Sequence, residues 1–320
     1  METIDHNVQL KLSNIFSIYT TSRRDEMKKI GGRFVHYTSA ENAIKILRSK
    51  RVWMRNARCM NDYSEIDHGH DLLLKSFNDV NFKRMFYEVL EPCGSEVHQR
   101  ALDLFDQWWH NIHNNTFITS ISEHDSEEDS NGRLSMWRAY GQQSAKAAIV
   151  FKPTFDNTLL KLFLVPTAYY SQAKLNEELK KVINNIKNDQ DFLASLDDQT
   201  IINAIFGMLL LTTVSLKHEG FREEREWRII YLPEMMPSKL MLHTIETING
   251  IPQSIYQIPL DDNQIENVDT LTIPKLFEKI IIGPSDYPLS LYDAFKKALE
   301  EAGIDNPASR VIVSNIPLRA

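Results

Sequence analysis

Between Lys217 and Leu232 the chain changes its period, and no other stretch constrains the fold as tightly. The run KHEGFREEREWRIIYL sets four acids and four strong bases in its first twelve residues and then becomes apolar. Helical spacing runs out near Gly220, a residue suited to ending a helix. From Arg225 onward the pattern alternates, with Glu224, Glu226 and Arg228 to one side and Arg225, Trp227 and Ile229 to the other. The stretch therefore reads as a helix exit followed by a strand from Glu226 to Leu232. Charged residues at the lip of an apolar strand place two carboxylates on one side of a sheet.

The rest of the chain mixes the same two periods without a regular βαβ rhythm. Short strands are predicted at Phe34 to Tyr37, Val52 to Met54, Asn115 to Ser122, Ala145 to Lys152, Phe163 to Tyr170, Ser254 to Leu260, Lys279 to Gly283 and Arg310 to Val313. Helices are predicted at Ala40 to Leu47, Ser64 to Leu90, Glu96 to Trp109, Leu134 to Tyr140, Gln172 to Lys187, Asp197 to Lys217 and Ser290 to Gly303. This irregular alternation favours α+β over a doubly wound sheet. No repeat or linker divides the chain. The expectation is one α+β domain over 1–320, with a lead-in at 1–30 and helical segments at 64–113 and 171–217.

Composition narrows the function classes. The 320 residues carry a net charge of −7 and a pI near 5.8, which argues against long non-specific tracts on nucleic acid, because those need a basic footprint. A local basic groove stays compatible with it. Two cysteines, Cys59 and Cys93, are too few for a disulfide scaffold. The N-terminus METIDHNVQLKLSN has charges where a secretion signal needs an apolar region. The longest apolar stretch, Ile201 through Val214, is interrupted by Asn203, Gly207 and two threonines and reads as a buried helix. A cytoplasmic protein without membrane contact is expected.

Five constellations carry polar chemistry. His36-Tyr37-Thr38 ends an early strand, either as a satisfied edge or as a ligand clamp. In Thr119-Ser120-Ile121-Ser122, alternation puts Ser120 and Ser122 on one face, either wet hydroxyls or the lining of a cleft. Trp137 and Tyr140, three apart on a helix, are a core pair or a stacking platform. Glu224 and Glu226 share a strand side with Arg228, either solvated or catalytic. Asp62, Glu65, Asp67, His68 and His70 have metal-ligand character. On a helix, however, His68 and His70 point about 160–200° apart, so no metal site is assigned. Walker, GxGxxG, GxSxG and HExxH signatures are absent.

Taken in order, HYTSAENAIKIL, MNDYSE, FITSIS, SMWRAYG, FREEREWRI and IIIGP resemble a bacterial family known as domain of unknown function 2971, over about residues 33–315. In pattern this set is also similar to the ADP-ribosyltransferase superfamily. That resemblance implies a mixed, split β-sheet core with helical insertions and NAD as substrate. It matches His36, flanked by Tyr37 and Thr38, to the first-strand clamp on the NAD ribose. Ser120 or Ser122 match the hydroxyl-bearing strand, Glu226 the catalytic carboxylate, and Glu224 the upstream acid that helps activate the acceptor. Trp137 or Tyr140 would stack on nicotinamide, and Arg228, Arg225 or Arg222 would meet the pyrophosphate or restrain Glu224. The sequence departs from the pattern in reading Thr-Ser-Ile-Ser at the hydroxyl strand and His at the first-strand position.

The implied activity is cleavage of the nicotinamide–ribose bond and transfer of ADP-ribose to a protein, nucleic acid or small molecule, in a toxin or anti-phage setting. On this reading Glu226→Gln abolishes turnover and leaves the melting temperature nearly unchanged. The alternatives are a catalytically silent nucleotide- or partner-binding module on the same fold and, below it, a metal-dependent hydrolase or nuclease.

Overall fold

The computed structural model describes residues 5–60, 65–139, 145–153, 160–248, 250–261 and 271–317. The first part of the chain forms α1 (His6–Phe16), α2 (Ile18–Lys29), β1 (Arg33–Ser39), α3 (Ala40–Ser49), β2 (Arg51–Asn56), α4 (Glu65–Asn78), α5 (Val80–Leu90) and α6 (Val97–Asn114). Then come β3 (Phe117–His124), α7 (Leu134–Ala139), β4 (Lys146–Phe151), β5 (Phe163–Pro166), β6 (Ala168–Tyr169), α8 (Gln172–Asn188), α9 (Gln190–Ala194) and α10 (Asp198–Ser215). The last part forms β7 (Leu216–Lys217), β8 (Glu226–Tyr231), β9 (Leu242–Ile248), β10 (Ile251–Pro259), α11 (Ile273–Leu276), β11 (Phe277–Ile282), α12 (Pro288–Glu301), α13 (Pro307–Arg310) and β12 (Val311–Val313). The fold is α+β, as the mixed periods require. Short polar caps start several helices: Ser39 accepts from the Asn42 amide, Ser171 from Lys174 and Asp197 from Thr200.

The chain divides into two compact units and crosses from one to the other after residues 26, 56, 116, 164 and 222. The first unit comprises Met1–Glu26, Ala57–Thr116 and Val165–Arg222 and is helical, gathering both helical segments legible in the sequence. Its centre is α10, which packs on α4 and α6. Among the described residues this is the single helix long and apolar enough for a membrane span, with mean hydropathy 1.2 and half of that stretch buried inside the protein. Gly69 permits the α4–α10 contact, since a Cβ there would lie 2.1 Å from the Thr213 carbonyl oxygen. Any larger residue would force the backbones apart. The unit's outer helices close over a phenylalanine cluster in which Phe77 meets Phe82 and Phe86 edge-on.

The second unit comprises Met27–Asn56, Phe117–Leu164 and Glu223–Ala320 and holds the main sheet. Its strands run β12-β11-β4-β1-β3-β2-β10-β9, with β8 on the other edge of β3 and β5 beyond β8. Parallel β11–β12 pairing among antiparallel neighbours makes the sheet mixed. β3 is the pivot. On one edge it pairs along its length with β8, from Phe117↔Tyr231 to Ser122↔Glu226. Its opposite edge is shared by two strands, with Phe117 and Ile118 facing β2 and Ser122 to His124 facing β1. The sheet therefore splits at Thr119–Ile121. One face is packed by α3 and α12 through Ala43, Leu47, Ile149, Ile280, Phe295 and Leu299. The other face carries Val35, Tyr37, Val150 and Ile281 against Met136 and Trp137 of α7.

Among the local readings that change are two at the charged run and the sheet edge. The helix before the charged run ends at Ser215, not near Gly220, and Glu219–Glu224 forms a 3₁₀ turn. β9 was absent from the expected strands. Its residues LHTIETI lie exposed or half-exposed at the edge of the sheet and carry little apolar period.

Candidate functional site

Ser120 stands at the split, and its carbonyl and its hydroxyl are both engaged there. Between the β2 and β1 pairings, side chains replace the missing ladder bonds. The Thr119 hydroxyl donates to the Trp53 carbonyl of β2 at 2.5 Å. His36 of β1 reaches the Ser120 carbonyl through Nδ1 at 3.0 Å. A carbonyl can only accept, so Nδ1 carries the proton and Nε2 is left with its lone pair. Burial holds the His36 pKa below the usual histidine value, opposed by the bond to Ser120, so the neutral ring is favoured.

The Ser120 hydroxyl projects to the opposite face and donates to Glu226 Oε1 at 2.5 Å. Ser120 lies opposite Arg228 in the β3–β8 register and Ser122 lies opposite Glu226, so these four side chains share one face. Arg228 grips the Glu226 carboxylate from two residues along the same strand, with Nε 3.3 Å from Oε1 and Nη2 3.4 Å from Oε2. Glu226 is 6% exposed and Arg228 is 0% exposed. The alternation read for Glu226 and Arg228 is therefore real, and its polar side is buried.

Glu224 is a correction. The strand begins at Glu226, and Arg225 adopts a left-handed φ of 47° that breaks the alternation before it. Glu224 ends the 3₁₀ turn, so strand register does not align it with Glu226. Arg225 is anchored by Asp125 at 2.5 Å and Glu123 at 3.2 Å, and Glu123 also accepts from the Trp227 indole at 2.8 Å. The hydrogen bond to Asp125 comes first in pushing the Arg225 pKa above the ordinary arginine value.

The other anticipated residues fall in three groups. Tyr37 and Trp137 are core: they meet edge-on at 4.9 Å and are 3% and 0% exposed, so Trp137 is packing and not an open stacking platform. The Tyr37 hydroxyl accepts from the Arg133 amide, and burial pushes its pKa up to about 12. Thr38 is half-buried on the His36 side of β1, and by register His36 and Thr38 occupy the face opposite Glu226. Ser122 is 3% exposed beside Glu226. Tyr140 lies outside the described residues, as does Asp62 of the histidine–acid stretch. Elsewhere in that stretch Glu65 pairs with Lys217 at 2.8 Å, Asp67 with His113 at 3.0 Å, and His70 stacks on Trp109 at 3.5 Å. Among the described residues no group of three histidine, cysteine or acidic side chains is placed to hold a metal ion.

Arg133 is the residue that sequence reasoning missed. Its guanidinium donates to the carbonyls of Glu123, Glu223 and Glu224 and to both carboxylate oxygens of Glu128, all at 2.8–3.1 Å. It thereby ties the end of β3 to the turn that delivers Glu226. An isolated arginine in an acidic loop carries no spacing that would mark this role.

No curated protein and no solved structure gives a significant match to the chain. Over residues 136–229, a span from α7 into β8 that includes Glu224, Glu226 and Arg228 and excludes His36 and Ser120, the chain is similar to the family described as "Protein of unknown function (DUF2971)".

Proposed function

We propose that the β3–β8 face is a nucleotide-handling site of ADP-ribosyltransferase type, in which Glu226 acts on the ribose of NAD. The single observation that carries this reading is the hydrogen bond from Ser120, on the strand matched to the hydroxyl-bearing one, to Glu226, matched to the catalytic carboxylate. Breaking the nicotinamide–ribose bond sends the bonding electrons out with nicotinamide and leaves positive charge on the ribose, as in glycoside cleavage. A carboxylate accepting from a ribose hydroxyl stabilises that charge. Such a charge-assisted bond contributes roughly 1.5–3 kcal/mol, more in a dry preorganised site. Arg228 and Ser120 hold the carboxylate in one orientation, and Ser122 supports the same face. His36 serves the site through the Ser120 carbonyl. The acceptor is a nucleophile on a protein, nucleic acid or small molecule, and a toxin or anti-phage setting follows from the resemblance.

The test is nicotinamide release from NAD by the purified protein and its Glu226→Gln variant. A drop of about 10²–10³-fold is expected, the size seen when one transition-state-stabilising group is removed. An equally active variant would sink the reading.

A second reading is favoured by the low exposure of Glu226 and by its pairing with Arg228. In it the face is a catalytically silent nucleotide- or partner-binding module, and the buried pair is structural. Calorimetric titration with NAD separates the two, because binding without nicotinamide release supports the silent module.

A further inference from the structure

We infer that β9 is a self-complementary edge through which two copies of this chain pair antiparallel, independently of the activity proposed above. Among the described residues β9 ends the strand order of the sheet and pairs with β10 alone, in unbroken register from Leu242↔Gln257 to Ile248↔Ile251. An exposed edge offers a row of backbone donors and acceptors to any strand that fits, and proteins usually block it with lysine, proline or a bulge. β9 has none of these: its sequence is LHTIETI and its pairing with β10 shows no register shift. Instead the hairpin exposes apolar side chains, with Ile245 at 75%, Ile251 at 61% and Leu242 at 44% exposure.

The sequence of β9 matches its own reversal. A two-fold axis through Ile245 sets Ile245 against its copy, Leu242 against Ile248, His243 against Thr247 and Thr244 against Glu246. No like charges are opposed, and apolar residues meet apolar residues at the centre and at both ends. Alternation puts Leu242 and Ile248 on one face, where Ile251 of β10 extends the apolar row, and Ile245 on the other. A contact of this kind is isologous, as two-fold assemblies require. A strand-to-strand contact falls short of the about 1,000 Å² that a stable interface needs, so the dimer is weak and concentration-dependent.

Sedimentation equilibrium of the full chain from low to high micromolar concentration tests this. The weight-average mass is expected to rise from 37.1 kDa toward twice that value. Ile245→Lys, which sets two ammonium groups on the axis, is expected to abolish the rise, and Ile251→Lys to weaken it. Both positions are exposed, so far-UV circular dichroism is expected to match the parent. Dimerisation of Ile245→Lys as tight as the parent's overturns the inference. A parent that stays monomeric throughout also overturns it and leaves the edge to a strand of another protein.

Discussion

Ser120 joins two faces of the sheet: its carbonyl takes the His36 imidazole from one side, and its hydroxyl supports Glu226 on the other. Read as sequence, Glu226 looked like a carboxylate at the lip of a strand whose replacement leaves stability alone. Its burial with Arg228 changes that expectation. Glutamine keeps an acceptor for Ser120 and removes the charge facing Arg228, so Glu226→Gln is expected to cost about 1–3 kcal/mol in urea unfolding, beside its effect on turnover. His36 carries a separate signature. Its folded pKa lies below the ordinary 6.5 because burial disfavours the cation. The unfolded chain therefore binds more protons below that pH, and stability falls as pH drops through 6.5 toward the folded value. His36→Asn keeps a donor for the Ser120 carbonyl and does not titrate. Its melting temperature is expected to fall less on acidification than the parent's, with the buried His124 titrating alike in both. An unchanged acid dependence would remove His36 from this role. The alternation that gives Ser120 and Glu226 each a polar side of a strand was legible in the sequence. The position of His36 was not, because which face a side chain takes depends on the register of its strand.

At the scale of elements, the strand that carries Glu226 is set by its approach as much as by its own pattern. Arg225 is left-handed and Arg133 holds the two carbonyls just before it. Arg133→Ala removes donors from three carbonyls and from Glu128, with the arginine side chain 13% exposed in the parent. It is expected to cost about 2–4 kcal/mol. Hydrogen exchange is expected to speed up at the amides of Glu226 to Arg228 in that variant, and unchanged protection there would show that the strand positions itself. Alternation correctly marked Glu226, Trp227 and Arg228 as a strand and failed at Glu224. A period-two count registers side-chain chemistry, whereas the left-handed backbone at Arg225 is held by contacts from Glu123 of β3 and from Asp125 and Arg133 of the loop after it. β9 escaped for the opposite reason: an edge strand exposed on both faces needs no apolar period.

For the whole molecule, the five crossings between the units mean that the sheet unit is not one contiguous segment. A chain ending at residue 222 retains every segment of the helical unit and loses β8 to β12. Such a fragment is expected to keep a helical circular dichroism signal with a cooperative thermal transition, since the retained unit has its own apolar centre in α10. A non-cooperative, featureless transition would mean that the helical unit needs the sheet. By itself the sequence determined the alternation of helices and strands, the α+β class and the buried character of α10, because each rests on the period of neighbouring residues. The tertiary structure alone decided that β1 and β2 share one edge of β3, that His36 and Glu226 address Ser120 from opposite faces, and that Arg133 anchors the entrance to β8. Those features join residues some 60 to 110 positions apart, and no local period encodes a pairing at that separation.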